Sequence, residues 1–180
     1  ALTAVALITV GWLYESCLFP FHIVKSNMYE NAIPETAALL QLQSKFVLVA
    51  MSIALLRIFS GYPLLKSVML GFAIFTVVIG SVMGLQQTDL RKLLSFVAVG
   101  QAGLVAMGIG LGTPFSISAG VFHAINDVLS MAILFFVDGF ILESYKTTKL
   151  DQLGEGLKKA PLVCLIMFLA TIAISLSPTF

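Results

Sequence analysis

The apolar stretch from Phe115 to Tyr145 constrains the fold of this chain more than any other feature. It exceeds the roughly 20 apolar residues that a bilayer crossing needs, yet it contains His123, Asp127 and Asp138. In a helix, steps of 4, 7 and 11 residues return to one face, so these side chains and Leu134 form a single stripe. An ionisable group at mid-membrane costs about 2.5–3.5 kcal/mol, and such groups usually face protein or water. The stripe therefore predicts either an ion path or a buried polar knot that locks helices together.

The rest of the chain is also strongly apolar. Of its 180 residues, 59% are hydrophobic and 11% are charged, whereas a soluble domain carries about 25% charged residues. Because barrel strands would alternate polar and apolar residues, uninterrupted apolar runs indicate helices. We expect an all-α, polytopic transmembrane bundle that forms a single domain over residues 1–180. The net charge of +1 predicts no nucleic-acid partner.

We predict six membrane spans, over residues 1–21, 34–57, 64–86, 90–111, 115–143 and 161–179. The polar segment HIVKSNMYENAI is interpreted as a connection, and Glu143 to Lys159 as an interfacial turn or short helix. The first run lacks a charged n-region and does not resemble a signal peptide. Both ends fall in or beside apolar sequence, so we expect either a piece of a longer protein or a short subunit with neighbours.

The basic residues predict an orientation. Odd-numbered connections hold most of them: Lys25, Arg91, Lys92, Lys146, Lys149, Lys158 and Lys159. Even-numbered connections hold only Arg57 and Lys66. By the positive-inside rule, the odd connections face the cytoplasm and both ends lie outside.

The span over 34–57 is unusually polar in its first half. Gln41, Lys45 and Ser52 share one helical face, and Lys45 lies about 16 Å along the helix at 1.5 Å per residue, near mid-membrane. Glu15, close to the end of the first span, can face the interface or point inward. Gln101 lies between glycines, which is typical of an interhelical hydrogen bond or, less often, of an ion ligand.

The sequence contains no catalytic constellation. Cys17 and Cys164 lie in apolar stretches without metal-ligand spacing, so we interpret them as packed thiols and expect no metal or cofactor. We find no nucleophile–base pair and no phosphate loop. Any electron chemistry would belong to partner subunits, and whether the chain is part of an enzyme stays open.

Four blocks carry a resemblance to a known family. ESCLFPFHIV is similar to KSAQFPFHxW, and the helix over 34–57 resembles a broken seventh helix. QQTDLRKLLSFVAVGQAG resembles xQxDLKRLLAYSSISQLG. GVFHAINDVLSMAILFFVDG resembles FHLxNHAxFKALLFLxxG, and LDQLGEGLKKAPL then resembles LxGLxKxMP. By these blocks, the chain resembles the antiporter-like, proton-translocating membrane subunits of respiratory complex I, energy-converting hydrogenases and Mrp-type antiporters.

The resemblance implies roughly helices six to eleven of a fourteen-helix unit that moves protons along a mid-membrane chain of lysines, histidines and glutamates. His123 matches the first histidine of the motif and Asn126 its asparagine. Asp127 replaces the second histidine, Met131 replaces the lysine, and Glu15 replaces the lysine of the first block.

One further departure concerns the lysine of the seventh helix. The family places this lysine at the position of Val49, whereas Lys45 lies one turn earlier and on roughly the same face.

The leading hypothesis is an ion-translocating subunit of a redox-driven complex in the prokaryotic cell membrane, moving protons or sodium with other membrane subunits as partners. Lys45 would hold the proton and His123 would relay it. Asp127, Asp138 and Glu15 would be partners or further stations, and Gln41, Gln101 and Asn126 would support them. The alternatives are a non-conducting structural subunit, which a dry gap between Lys45 and Asp138 would favour, or a Mrp-type antiporter subunit.

Overall fold

The computed structural model describes residues 2–61, 63–158 and 160–176, and it folds them into eight helices. These are α1 (Leu2–Glu15), α2 (His22–Asn31), α3 (Pro34–Ile58), α4 (Pro63–Leu85), α5 (Leu90–Gly110), α6 (Pro114–Tyr145), α7 (Leu150–Lys158) and α8 (Pro161–Leu176). Helices α3 to α6 are long and apolar enough to cross a membrane, and α8 is a shorter apolar helix. The predicted all-α transmembrane bundle is confirmed. The last predicted span, over 161–179, ends in residues that lie outside the described part.

The first predicted span, over 1–21, is shorter than expected. Helix α1 ends at Glu15. Cys17 adopts a left-handed backbone with φ of 63°, and Pro20 lacks the N–H that a helical ladder requires. A turn therefore separates α1 from α2 over residues 16–21.

The predicted polar connection over 22–33 is mostly helix α2, and the polar side chains on one of its faces, His22, Lys25, Ser26 and Tyr29, are buried. Trp12 of α1 donates to Ser52 in the second half of α3 at 2.9 Å. Lys25 of α2 donates to Ser44 in the first half of α3 at 3.2 Å. Helices α1 and α2 therefore run along α3 in the opposite direction. Lys25 lies inside the protein and not in an exposed loop, because neighbouring helices satisfy its polar group.

Helix α5 lies at the centre of the bundle and packs against α2, α3, α4 and α6. Glycines bring α4 and α5 together: a Cβ on Gly80 would lie 2.7 Å from the backbone nitrogen of Gly100. A Cβ on Gly103 would lie 2.8 Å from the backbone nitrogen of Val77. Such close approach is typical of helix pairs in membranes, where small residues let the backbones touch.

The odd-numbered connections meet on one side of the bundle. The backbone N–H of Leu90 donates to the carbonyl of Thr148 at 2.8 Å, and that of Leu150 donates to Thr88 at 2.9 Å. Arg91, at the start of α5, donates from Nη1 to the carbonyl of Ala32 at 3.3 Å. The connections after α2, α4 and α6 thus share one membrane face, as the predicted alternation requires. We call it the basic face, and its cytoplasmic orientation stays a prediction.

Candidate functional site

Lys45 of α3 and Asp127 of α6 form an ion pair inside the bundle. Lys45 Nζ lies 2.9 Å from Asp127 Oδ2, and the two side chains are 3% and 0% exposed. Gln41 donates from Nε2 to the same carboxylate oxygen at 3.0 Å. Lys45 also donates to the backbone carbonyl of Ala98 in α5 at 3.1 Å. The pair joins three helices, about 16 Å from the start of α3.

Pairing explains how charge is tolerated at this depth. Removing one partner of a buried ion pair costs about 3–5 kcal/mol, because the other charge is left uncompensated. Both donors approach the same oxygen of Asp127, Oδ2. Its other oxygen, Oδ1, is buried and has no hydrogen-bond partner among the described residues. Oδ1 can therefore accept a further hydrogen bond or a proton, and a buried polar atom without a hydrogen-bond partner is unusual.

His123 lies one turn before Asp127 on the same buried stripe and is 2% exposed. Its Nε2 lies 2.8 Å from Oε1 of Gln101 in α5. A carbonyl oxygen only accepts, so in this amide orientation the contact places a proton on Nε2. Through this interhelical bond, polar side chains continue from the Lys45–Asp127 pair to Gln101, which lies beside the contact between α4 and α5.

A second ion pair lies where α1 meets α2. Lys25 Nζ lies 3.7 Å from Glu15 Oε2, and the two side chains are 8% and 43% exposed. The same amine donates to Ser44, which directly precedes Lys45 on α3. Glu15 therefore meets Lys25, a residue that the sequence analysis placed in a connection.

Asp138 lies on the buried stripe but belongs to a different ion pair. Its Oδ2 lies 2.7 Å from Nε of Arg91, close to the basic face. Asp138 is eleven residues after Asp127, which is about 16 Å along α6. The structure therefore brings Asp127, but not Asp138, into contact with Lys45.

Most of the buried side chains between the two aspartates are apolar, and Ser130, which is 3% exposed, is a polar exception. Met131, Leu134 and Phe135 are 0%, 4% and 1% exposed, and all three belong to one hydrophobic cluster. Met131 is the residue that replaces the lysine of the resembled motif. Close-packed side chains of this kind leave little room for water, so this part of α6 separates the two ion pairs.

Asn126 lies beside the stripe and has a structural contact. Its Nδ2 donates to the carbonyl of Ala173 in α8 at 2.6 Å. This bond holds α8 against α6, and it accounts for the asparagine without any contact to the Lys45–Asp127 pair.

The comparison with known proteins assigns the chain to a family. The family model described as "NADH:quinone oxidoreductase/Mrp antiporter, TM" matches residues 1–180. The chain belongs to this antiporter family. Its identity as a multi-pass membrane protein, and the resemblance seen in the sequence, are confirmed.

Two curated members of the antiporter family show the range of relatives. An uncharacterised protein of Methanocaldococcus jannaschii, MJ1309, is 40% identical over 97% of this chain and 37% of its own length. NADH-quinone oxidoreductase subunit N 2 of Solidesulfovibrio magneticus is 28% identical over 99% of this chain and 38% of its own length. The chain thus spans little more than a third of these relatives.

A solved structure has the same fold. It is described as "Structure of the membrane-bound sulfane sulfur reductase (MBS), an archaeal respiratory membrane complex", and the matched chain superposes with a TM-score of 0.82 at 28% identity. The match covers 94% of this chain and 35% of that one. The relatives therefore include subunits of multi-subunit membrane complexes.

Two partners of the candidate carboxylates, the buried Lys25 and the partly buried Arg91, were not predicted as such from the sequence. Both were counted only as basic groups of connections, although each pairs with a carboxylate that the analysis had singled out. For Lys25, the sequence contained one signal: Tyr29 lies four residues later, so the two side chains would share one face of a helix. In the structure both residues are buried. For Arg91, the signal was Asp89, which caps the start of α5. Because Arg91 follows this cap by two residues, it belongs to the helix and not to the loop.

Proposed function

We propose that this chain forms part of a proton-translocating path in a multi-subunit membrane complex, with the Lys45–Asp127 pair as its central station. One observation carries the proposal: a lysine and an aspartate from two membrane-spanning helices touch at 2.9 Å and are both buried. In a membrane subunit of the antiporter family, such a pair can bind and release a proton that crosses the membrane. His123, one turn away, would be the next station, because imidazole exchanges protons near neutral pH.

The chemistry follows from the pairing. While Asp127 is ionised, its charge stabilises the protonated amine of Lys45 in a site that would otherwise disfavour it. A proton that binds Asp127, for which Oδ1 is uncommitted, neutralises the carboxylate and weakens the hold of Lys45 on its own proton. That proton can then leave along the path, and transfer of the Asp127 proton to the neutral amine of Lys45 restores the ion pair. Gln41 keeps Asp127 Oδ2 oriented throughout.

The donor set around Asp127 favours a proton over sodium. The groups that reach its carboxylate are the nitrogens of Lys45 and Gln41. Hard cations are held by several oxygen ligands, and nitrogen donors carry the wrong polarity for that task. Sodium transport, which the name of a Na(+)/H(+) antiporter relative from Alkalihalophilus pseudofirmus suggests, is the alternative that the test includes.

Relatives suggest the wider assembly. The names of several refer to quinone oxidoreductases, and the superposed structure is a respiratory membrane complex. We propose that redox chemistry in partner subunits drives the path and that this chain contributes no catalytic residue of its own. Other membrane subunits and the bilayer would then cover its exposed apolar faces.

A structural subunit that does not conduct is the second candidate. The apolar interval formed by Met131, Leu134 and Phe135 favours it, because it isolates the Arg91–Asp138 pair from the Lys45–Asp127 pair. In this case both ion pairs would only hold helices together, and neither would exchange protons during turnover.

Replacing Lys45 distinguishes these candidates. The complete subunit, in its complex, is reconstituted in vesicles with an internal pH indicator. Lys45→Ala should lower proton uptake at least tenfold, whereas Lys149→Ala, an exposed lysine on the basic face, should leave it unchanged. Unaltered uptake by an assembled Lys45→Ala complex would remove Lys45 from the path and favour the structural role. Uptake that requires sodium would indicate the antiporter alternative.

A further inference from the structure

Lys25 is a buried amine that the Lys45–Asp127 path does not yet include. We infer that Lys25 is an additional proton station, which exchanges protons with Glu15 on one side and with the Lys45–Asp127 pair on the other. The inference rests on the proposed function and extends its path to the turn between α1 and α2. It depends on contacts in this chain, since the matched block ESCLFPFHIV ends immediately before Lys25.

Burial separates Lys25 from an ordinary surface lysine. The residue is 6% exposed, and its amine reaches two different partners, Glu15 Oε2 at 3.7 Å and Ser44 Oγ at 3.2 Å. A contact at 3.7 Å is longer than a charge-assisted hydrogen bond, which is typically about 2.7–2.9 Å. Lys25 is therefore placed between its partners and is not tightly fixed to either.

The surroundings of Lys25 connect it to the central pair. Ser44 is buried and adjacent to Lys45 on α3. Cys17, in the turn between α1 and α2, lies within electrostatic reach of both lysines. Tyr29, one turn after Lys25, contacts Cys17 at 3.6 Å and lies within electrostatic reach of Asp127. Both lysines therefore lie within electrostatic reach of one residue, Cys17.

The proton steps balance without any further reactant. In the first step, an N–H bond of the Lys25 ammonium breaks and an O–H bond forms on Glu15, leaving a neutral amine and a neutral acid. In the second, the lone pair of the amine accepts a proton that originates on Lys45. Ser44 suits both states, because its oxygen accepts from the ammonium and its hydroxyl can donate to the neutral amine. Glu15, which is 43% exposed, then releases its proton outward.

Arginine at position 25 distinguishes a station from a structural ion pair. Arg keeps the positive charge and can pair with Glu15, but it does not release a proton in proteins. We expect Lys25→Arg to assemble normally and to lower proton uptake about tenfold or more. A matched control is Lys92→Arg: Lys92 lies at the same 3.7 Å from Glu30, but its side chain is 39% exposed at the basic face, and uptake should not change.

A second variant covers the case in which arginine does not fit. Lys25→Met combined with Glu15→Gln removes both charges, so the complex should assemble and uptake should again fall about tenfold. Normal uptake by either assembled variant would overturn the inference. If Lys45→Ala still lowers uptake at least tenfold, normal uptake by the Lys25 variants would leave the proposed function intact. The failure of this inference can therefore be distinguished from the failure of the proposed function.

Discussion

Lys45 Nζ and Asp127 Oδ2 lie 2.9 Å apart at the junction of α3, α5 and α6. The two residues lie 82 positions apart in the chain, so the pair exists only in the folded bundle. Each charge would be costly alone at this depth, and each makes the other tolerable. This mutual dependence makes the pair a structural element and, in the proposed path, the site at which protons bind and leave.

The pair predicts a strong non-additivity in stability. Asp127→Leu alone should destabilise the protein by about 3–5 kcal/mol, because Lys45 is left buried without its counter-charge. Lys45→Met combined with Asp127→Leu should recover most of that loss, since two apolar groups replace two charges. Thermal unfolding of the purified complex in detergent measures both. Equal destabilisation by the single and double variants would show that the two charges do not compensate each other.

The contact between α4 and α5 predicts where an added methyl group is not tolerated. Gly80→Ala should cost about 1–3 kcal/mol, because its Cβ would lie 2.7 Å from the backbone of Gly100 and the helices would have to separate. Gly71→Ala on the same helix is the control, since no atom lies within 4 Å of its added Cβ. Thermal unfolding should separate the two variants. Equal stability would mean that α4 and α5 pack less closely than the structure indicates.

The basic face predicts a labelling pattern. In a background lacking Cys17 and Cys164, a membrane-impermeant thiol reagent should reach Lys92→Cys and Lys149→Cys from the cytoplasmic side. Gly61→Cys, in the connection between α3 and α4, should react only from the opposite side. Inside-out vesicles expose the cytoplasmic side to the reagent, and right-side-out vesicles expose the opposite side. Labelling of Lys92→Cys and Gly61→Cys from the same side would contradict the topology.

Much of this arrangement could be predicted from periodicity. The stripe of His123, Asp127 and Asp138 and the face of Gln41 and Lys45 are buried as their spacing predicts. Helical geometry fixes which residues share a face, and the cost of charge in lipid then decides which face points inwards. Two short-range rules are therefore sufficient to locate these side chains.

The partners of those residues could not be predicted in the same way. Asp127 and Asp138 have similar positions on one helix, yet one pairs with Lys45 and the other with Arg91. The choice depends on how α3 and α5 pack against α6, which no local pattern encodes. Helix α2 was not predicted because a sequence rich in polar residues is typical of a loop. In the structure, buried partners such as Ser44 form hydrogen bonds with its polar side chains.

The two aspartates of α6 supply a matched comparison for the proposed path. Both side chains are 0% exposed and both are paired with a cation, but only Asp127 contacts the Lys45 amine. Asp127→Asn should therefore lower proton translocation at least tenfold. Asp138→Asn should lower thermal stability, because Arg91 loses its counter-charge, while the assembled complex keeps most of its translocation.

The decisive measurement is proton uptake by vesicles containing these two variants, normalised to the amount of assembled complex. We predict near-complete loss for Asp127→Asn and near-normal uptake for Asp138→Asn. Equal uptake by the two variants would contradict a proton path through the Lys45–Asp127 pair.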